Sequence, residues 1–119
     1  MRINPECVRD IILTIEEVTD FNTDFQYPND NYERLNSYSK NEMLTHLERC
    51  KDNQLFIGYF FYMNQSVSIE DLSPKGHSFA DAIRSDTTWN KVKEKLKSTA
   101  GLAIPALVSL AIDYSQSKY

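Results

Sequence analysis

Four groups of residues have types and spacings that could do chemistry. His77 and Asp81 stand four apart, a spacing at which a helical carboxylate can orient an imidazole for proton transfer. No nucleophile is tied to that pair, so the plainer reading has both residues fixing a first helical turn. His46 and Cys50 are also four apart, and with Cys7 and His77 they make a four-ligand set of the type zinc takes. Nothing in the spacing brings Cys7 and His77 to the other two. A small buried thiol near an unrelated histidine accounts for the pair. The expectation is a chain with no metal, no cofactor and no enzymatic activity.

The other two groups are binding groups. Asn41, Thr45 and Arg49 fall on the polar side of one helical segment, with His46 at its border, where such side chains could reach base edges in a DNA groove. Glu42 and Glu48 share that side and would sit close to phosphate charge. Lys91, Lys93, Lys95 and Lys97 form a basic cluster that could grip phosphates. Lysines flanking an apolar stripe also commonly cover it with their stems and keep the charge in water.

These residues sit in a chain of 119 residues with net charge −4, 41% hydrophobic and 25% charged. That length holds one core and not two. Three glycines are too few for a Gly-rich phosphate loop. The charge is uneven. Residues 1–36 carry net −5, residues 37–72 net −2 and residues 73–119 net +3. The front is acidic and the tail basic, so the low average argues against DNA without excluding it.

Patterning supplies the elements. Asn4 and Pro5 open a helix whose stripe is Val8, Ile11, Ile12, Ile15 and Val18. Residues 20–38 are rich in turn formers and aromatics, with a short strand expected around Phe25 to Tyr27 and Arg34 the sole basic residue. Ser39 to Glu42 fits a capping box and starts a second helix with Met43, Leu44, Leu47 and Cys50 on one face. Asn53 is expected to end it in a left-handed conformation. Leu55–Tyr62 and Val67–Glu70 read as a hairpin around Asn64-Gln65-Ser66. Ser73-Pro74 starts another helix, Ser85-Asp86-Thr87 breaks it, and Trp89, Val92 and Leu96 line the next, which Gly101 closes. A last helix runs from Ala103 to about Ser117.

A helix leading straight into a two-stranded hairpin is the winged-helix arrangement. The expected class is α+β, mostly helical, one domain over 1–119 with a helical extension from about 86. The middle helix of the usual three is not evident.

The segment Leu72-Ser73-Pro74-Lys75-Gly76-His77-Ser78-Phe79-Ala80-Asp81-Ala82-Ile83-Arg84, with Asp86-Thr87-Thr88-Trp89-Asn90-Lys91, resembles the mark of a family of small bacterial and phage proteins, a domain of unknown function. The likeness extends to the first helix and to Tyr38-Ser39-Lys40-Asn41-Glu42, Leu44, His46 and Leu47. Ser73-Pro74-Lys75 replaces the family's more usual Thr-Trp-Glu. The resemblance implies a winged-helix-like core and a bacterial, phage or prophage origin, and brings no activity with it.

Partners follow from these readings. DNA is one candidate, read by the second helix and gripped by the C-terminal lysines. A protein partner is the other, favoured by the acidic front and a wing without cations. The last helix is apolar over a wide arc, with Leu102, Ile104, Leu107, Val108, Leu110 and Ile112, which suggests a homodimer through the C-terminal helices. The start of the chain lacks the pattern of an export signal and Pro105 interrupts the one long uncharged stretch. Reduced thiols, a cytoplasmic location and no membrane partner are expected.

Overall fold

The computed structural model describes residues 2–97 and 103–116. Gly101, Leu102 and Ser117 lie outside the described residues. The first helix, α1 (Pro5–Val18), starts where expected. The Asn4 side chain accepts the Glu6 N–H, and Pro5 takes the first helical position, where its missing donor costs nothing. Cys7, Leu13 and Thr14 are buried as well as the predicted stripe from Val8 to Ile15. The reason is position: α1 packs against α2 (Lys40–Asp52), β3 (Val67–Leu72) and α3 (Pro74–Ile83), so it is covered on several sides.

Three strands form one antiparallel sheet in the order β1-β3-β2, with β1 at Phe25–Tyr27 and β2 at Phe56–Phe61. Phe25 faces Ile69 and Tyr27 faces Val67, so the predicted short strand adds an edge to the hairpin. The missing middle helix is present only as a 3-10 turn over Glu33–Leu35. Side chains tie this link down. Phe25 stacks on Tyr32 with centroids 4.8 Å apart, the Tyr32 hydroxyl accepts the Gln26 N–H, and the Tyr38 hydroxyl donates to Asp10. The order helix, strand, short turn, capped helix, hairpin is a winged-helix-like core, and the fold is α+β and mostly helical.

Two predicted ends of α2 differ in detail. Ser39 accepts the Glu42 N–H, but the Glu42 carboxylate accepts from the Asn4 side chain, so the capping box is half formed. Asn53 has φ −98° and the left-handed residue is Gln54, at φ 59°. Asn53 instead turns its amide back to the Arg49 carbonyl.

Ser73 caps α3 by accepting the Gly76 N–H, and its own hydroxyl donates to the Gln54 carbonyl. Ser85 similarly meets the Thr88 N–H at the start of α4 (Asp86–Lys97). The last helix is α5 (Ile104–Gln116). The helices after residue 86 are not an appendage, because Trp89, Val92, Leu107 and Ala111 belong to the same buried cluster as α1. The wide apolar arc of α5 is used inside the chain. Ile104, Leu107, Val108 and Ala111 are buried, and Leu110, Ile112 and Tyr114 pack partly against the core. The described part of α5 therefore lacks the bare apolar face that suggested a homodimer there. No helix among the described residues is long and apolar enough to cross a membrane.

Candidate functional site

The polar side of α2 presents Asn41 and Arg49 to solvent and leaves Thr45 half-buried. His46 does not join them. It is fully buried, which corrects its expected place on a base-reading face. Its Nε2 accepts the Asn4 N–H at 2.8 Å and its Nδ1 lies 2.8 Å from the Glu42 carbonyl. A carbonyl can only accept, so Nδ1 carries the hydrogen and Nε2 is the bare acceptor. The imidazole thus clamps the start of α1 to the first turn of α2. Its border position on the helical wheel leaves both outcomes open, and the approach of α1 decides.

The four lysines do not make one patch. Lys93 turns toward α1 and pairs with Glu6 at 3.0 Å. Lys91 and Lys95 line a shallow cleft with Asn90, Glu94 and Tyr114, and Lys97 is exposed at the end of α4. The expected phosphate grip is therefore divided between a structural ion pair and a mixed-charge cleft.

The spacing of four that could have paired His77 with Asp81 does not bring them into an ion pair. His77 Nε2 meets Asp71 at 3.2 Å, whereas Asp81 pairs with Arg84 at 2.9 Å. Arg84 also pairs with Glu16. The four-ligand set does not converge either. Both nitrogens of His46 are engaged in hydrogen bonds, and among the described residues no group of three or more His, Cys, Asp or Glu could hold a metal ion. Cys7 and Cys50 are free and fully buried. Burial, with the Glu42 and Asp10 carboxylates adding to it, pushes the Cys7 thiol up to about 12, and burial raises Cys50 as well. Such thiols are inert.

The family-like segment between Leu72 and Lys91 is a structural knot. Gly76 lies so close to the Leu55 backbone that an added Cβ would fall 2.3 Å from its carbonyl oxygen. The Trp89 indole N–H donates to Glu6 at 2.9 Å, and the Arg9 guanidinium lies 5.4 Å from the ring centroid. Arg9 also donates to the Ile83 carbonyl and pairs with Asp86, closing the break between α3 and α4. Partial burial works against the Glu6 charge, but the Trp89 and Lys93 hydrogen bonds outweigh it and hold the carboxyl below its usual range.

Apart from Phe21 in the link after α1, the large apolar side chains left exposed lie on the hairpin and its wing. Ile57, Phe60, Phe61, Tyr62 and Met63 are large apolar or aromatic residues at the surface, with Phe60 and Phe61 each more than half exposed and Met63 fully so. They run along β2 into a tight turn, in which the Asn64 side chain accepts from both the N–H and the hydroxyl of Ser66 and Gln65 adopts φ 64°. Residues 53–69 contain no charged residue at all. Aromatic enrichment in β2 was visible in the sequence as strand propensity. Its exposure was not, because two-sided cover and one-sided cover give the same composition.

No curated protein and no solved structure matches the chain. A family model described as "Hypothetical protein (DUF2513)" matches residues 2–103. That span takes in α1, the sheet, α2, α3 and α4, including the knot around Gly76 and Trp89, and the chain belongs to this family.

Proposed function

We propose that the chain is a small, non-catalytic winged-helix-like interaction module that docks a protein partner through β2 and the wing, in a bacterial, phage or prophage setting. One observation carries the reading: the wing exposes five large apolar or aromatic side chains within a stretch that has no cation. Apolar aromatic surface of this kind is the currency of protein interfaces. A wing that tracks a phosphate backbone would be expected to bring lysine or arginine.

Direct DNA binding by α2 is the second reading, favoured by Asn41 and Arg49 standing exposed on one helix. Glu48 is exposed beside them and Glu42 only half-buried, while His46 and Lys93 are committed to other contacts. A mobility-shift titration against mixed genomic DNA at two salt concentrations separates the readings. Docking through the wing predicts no shift at low salt. A salt-steep shift that Arg49→Ala and Lys91→Ala weaken would establish DNA binding and overturn it.

A further inference from the structure

We propose that a pocket in the link between α1 and α2 takes a methylated ammonium group, the cationic head of a small organic molecule or of an alkylated lysine side chain. The pocket has a volume of about 270 Å³. That is below the roughly 300–1,000 Å³ of sites for drug-sized ligands, so it suits a head group and not a large molecule. Tyr27, Tyr32 and Tyr38 line it, and Asp30 is the one charged residue among its described lining. It lies beside β1, at the opposite edge of the sheet from β2, so the inference is independent of docking through the wing.

The walls are held before any ligand arrives. Tyr32 stacks on Phe25, and its hydroxyl accepts the Gln26 N–H at 2.8 Å. The Asp30 N–H donates to the Gln26 carbonyl at 3.1 Å, which fixes the backbone that carries the carboxylate. The Tyr38 hydroxyl donates to Asp10 at 2.6 Å. With those two hydroxyls engaged, ring surface is what Tyr32 and Tyr38 offer the pocket. Aromatic faces carry partial negative charge and attract a cation, most strongly where water is partly excluded. The surrounding charge has the same sign. Residues 1–36 carry net −5, and Arg34, the sole basic residue of the link, is paired with Glu17 and approached by Asp10. A bare ammonium holds its water tightly. Methyl groups loosen that hold and give the rings a surface to meet, while the charge faces Asp30. Asn29, Asn31 and Asn36 also line the pocket, and a neutral polyol could use their amides, but it would draw nothing from the carboxylate charge.

The test titrates the full isotope-labelled chain with three probes. These are choline, its neutral isostere with a tert-butyl group in place of the trimethylammonium, and a peptide carrying one trimethyl-lysine. Choline is expected to shift the amides between Tyr27 and Tyr38 and to bind on the order of tenfold tighter than the isostere. Asp30→Asn and Tyr27→Leu should each weaken choline several-fold, and Asp30→Asn should leave the isostere unchanged. Asp113→Asn, an equal loss of charge on α5, should leave choline binding in place. Asp30→Asn keeps the side-chain size, so the comparison with Asp113→Asn stands even where Tyr27→Leu fails to fold. Choline binding tighter than the peptide assigns the pocket to a free small cation, the reverse assigns it to a partner's lysine, and either upholds the inference. Equal binding of choline and the isostere overturns it. So does an equal effect of Asp30→Asn and Asp113→Asn, or the absence of any shift between Tyr27 and Tyr38.

Discussion

The indole N–H of Trp89 donates to the Glu6 carboxylate across 2.9 Å, joining α4 to the first turn of α1 over 83 residues of sequence. Glu6 also receives Lys93, and Arg9, one turn further along α1, lies against the same indole. The most recognisable part of the sequence thereby holds helices together.

This network has a pH signature. The Glu6 carboxyl is held below its ordinary 4.5 in the folded chain, so its contribution to stability is present above that value and is lost as pH falls through the folded value. Urea midpoints measured from neutral pH down to acid should fall less steeply for Glu6→Gln than for the parent. Trp89→Ala should cost roughly 3–5 kcal/mol at neutral pH, through lost burial and the cavity left behind. A loss under about 1 kcal/mol would contradict this placement of the indole.

Gly76 is a packing requirement. Gly76→Ala drives a Cβ into the Leu55 backbone, with Leu72 also close, and a carbonyl cannot swing aside as a side chain tip can. The expected cost is about 1–3 kcal/mol by denaturant unfolding. An unchanged midpoint would show that α3 does not approach Leu55 this closely.

His46 is expected as the neutral tautomer with hydrogen on Nδ1, because Nε2 accepts the Asn4 N–H. Nitrogen-15 NMR of the imidazole reads this directly. His46→Ala leaves the Asn4 donor unmet and should destabilise by roughly 1–3 kcal/mol. A hydrogen found on Nε2 would refute the clamp.

Much of the fold was legible before any coordinates. The Asn4-Pro5 start, the Ser73 and Ser85 breaks and the hairpin are local signals, and local signals survive packing. The 3-10 turn at Glu33–Leu35 was not legible, because three residues carry no periodicity. His46 was ambiguous for a different reason: its burial depends on α1, which is 28 or more residues away in sequence. The wing was half legible. Its lack of cations could be read, but the exposure of Phe60 and Phe61 depends on which side of the sheet the helices cover.

Thr14 offers a stabilising change. Its hydroxyl oxygen is buried without a hydrogen-bond partner among the described residues. Thr14→Val keeps the shape and removes the unmet group, so the unfolding midpoint should rise by an amount worth about 1 kcal/mol. A lower midpoint would mean that the hydroxyl is satisfied in solution.

Docking through the wing is tested most directly by photo-crosslinking in the native cells, with a photoreactive amino acid placed in turn at Phe60 and at Asn41. Position 60 should yield adducts that protease removes and nuclease does not, and position 41 should yield no nucleic-acid adduct. Nuclease-sensitive adducts at position 41, with none to protein at position 60, would contradict the account.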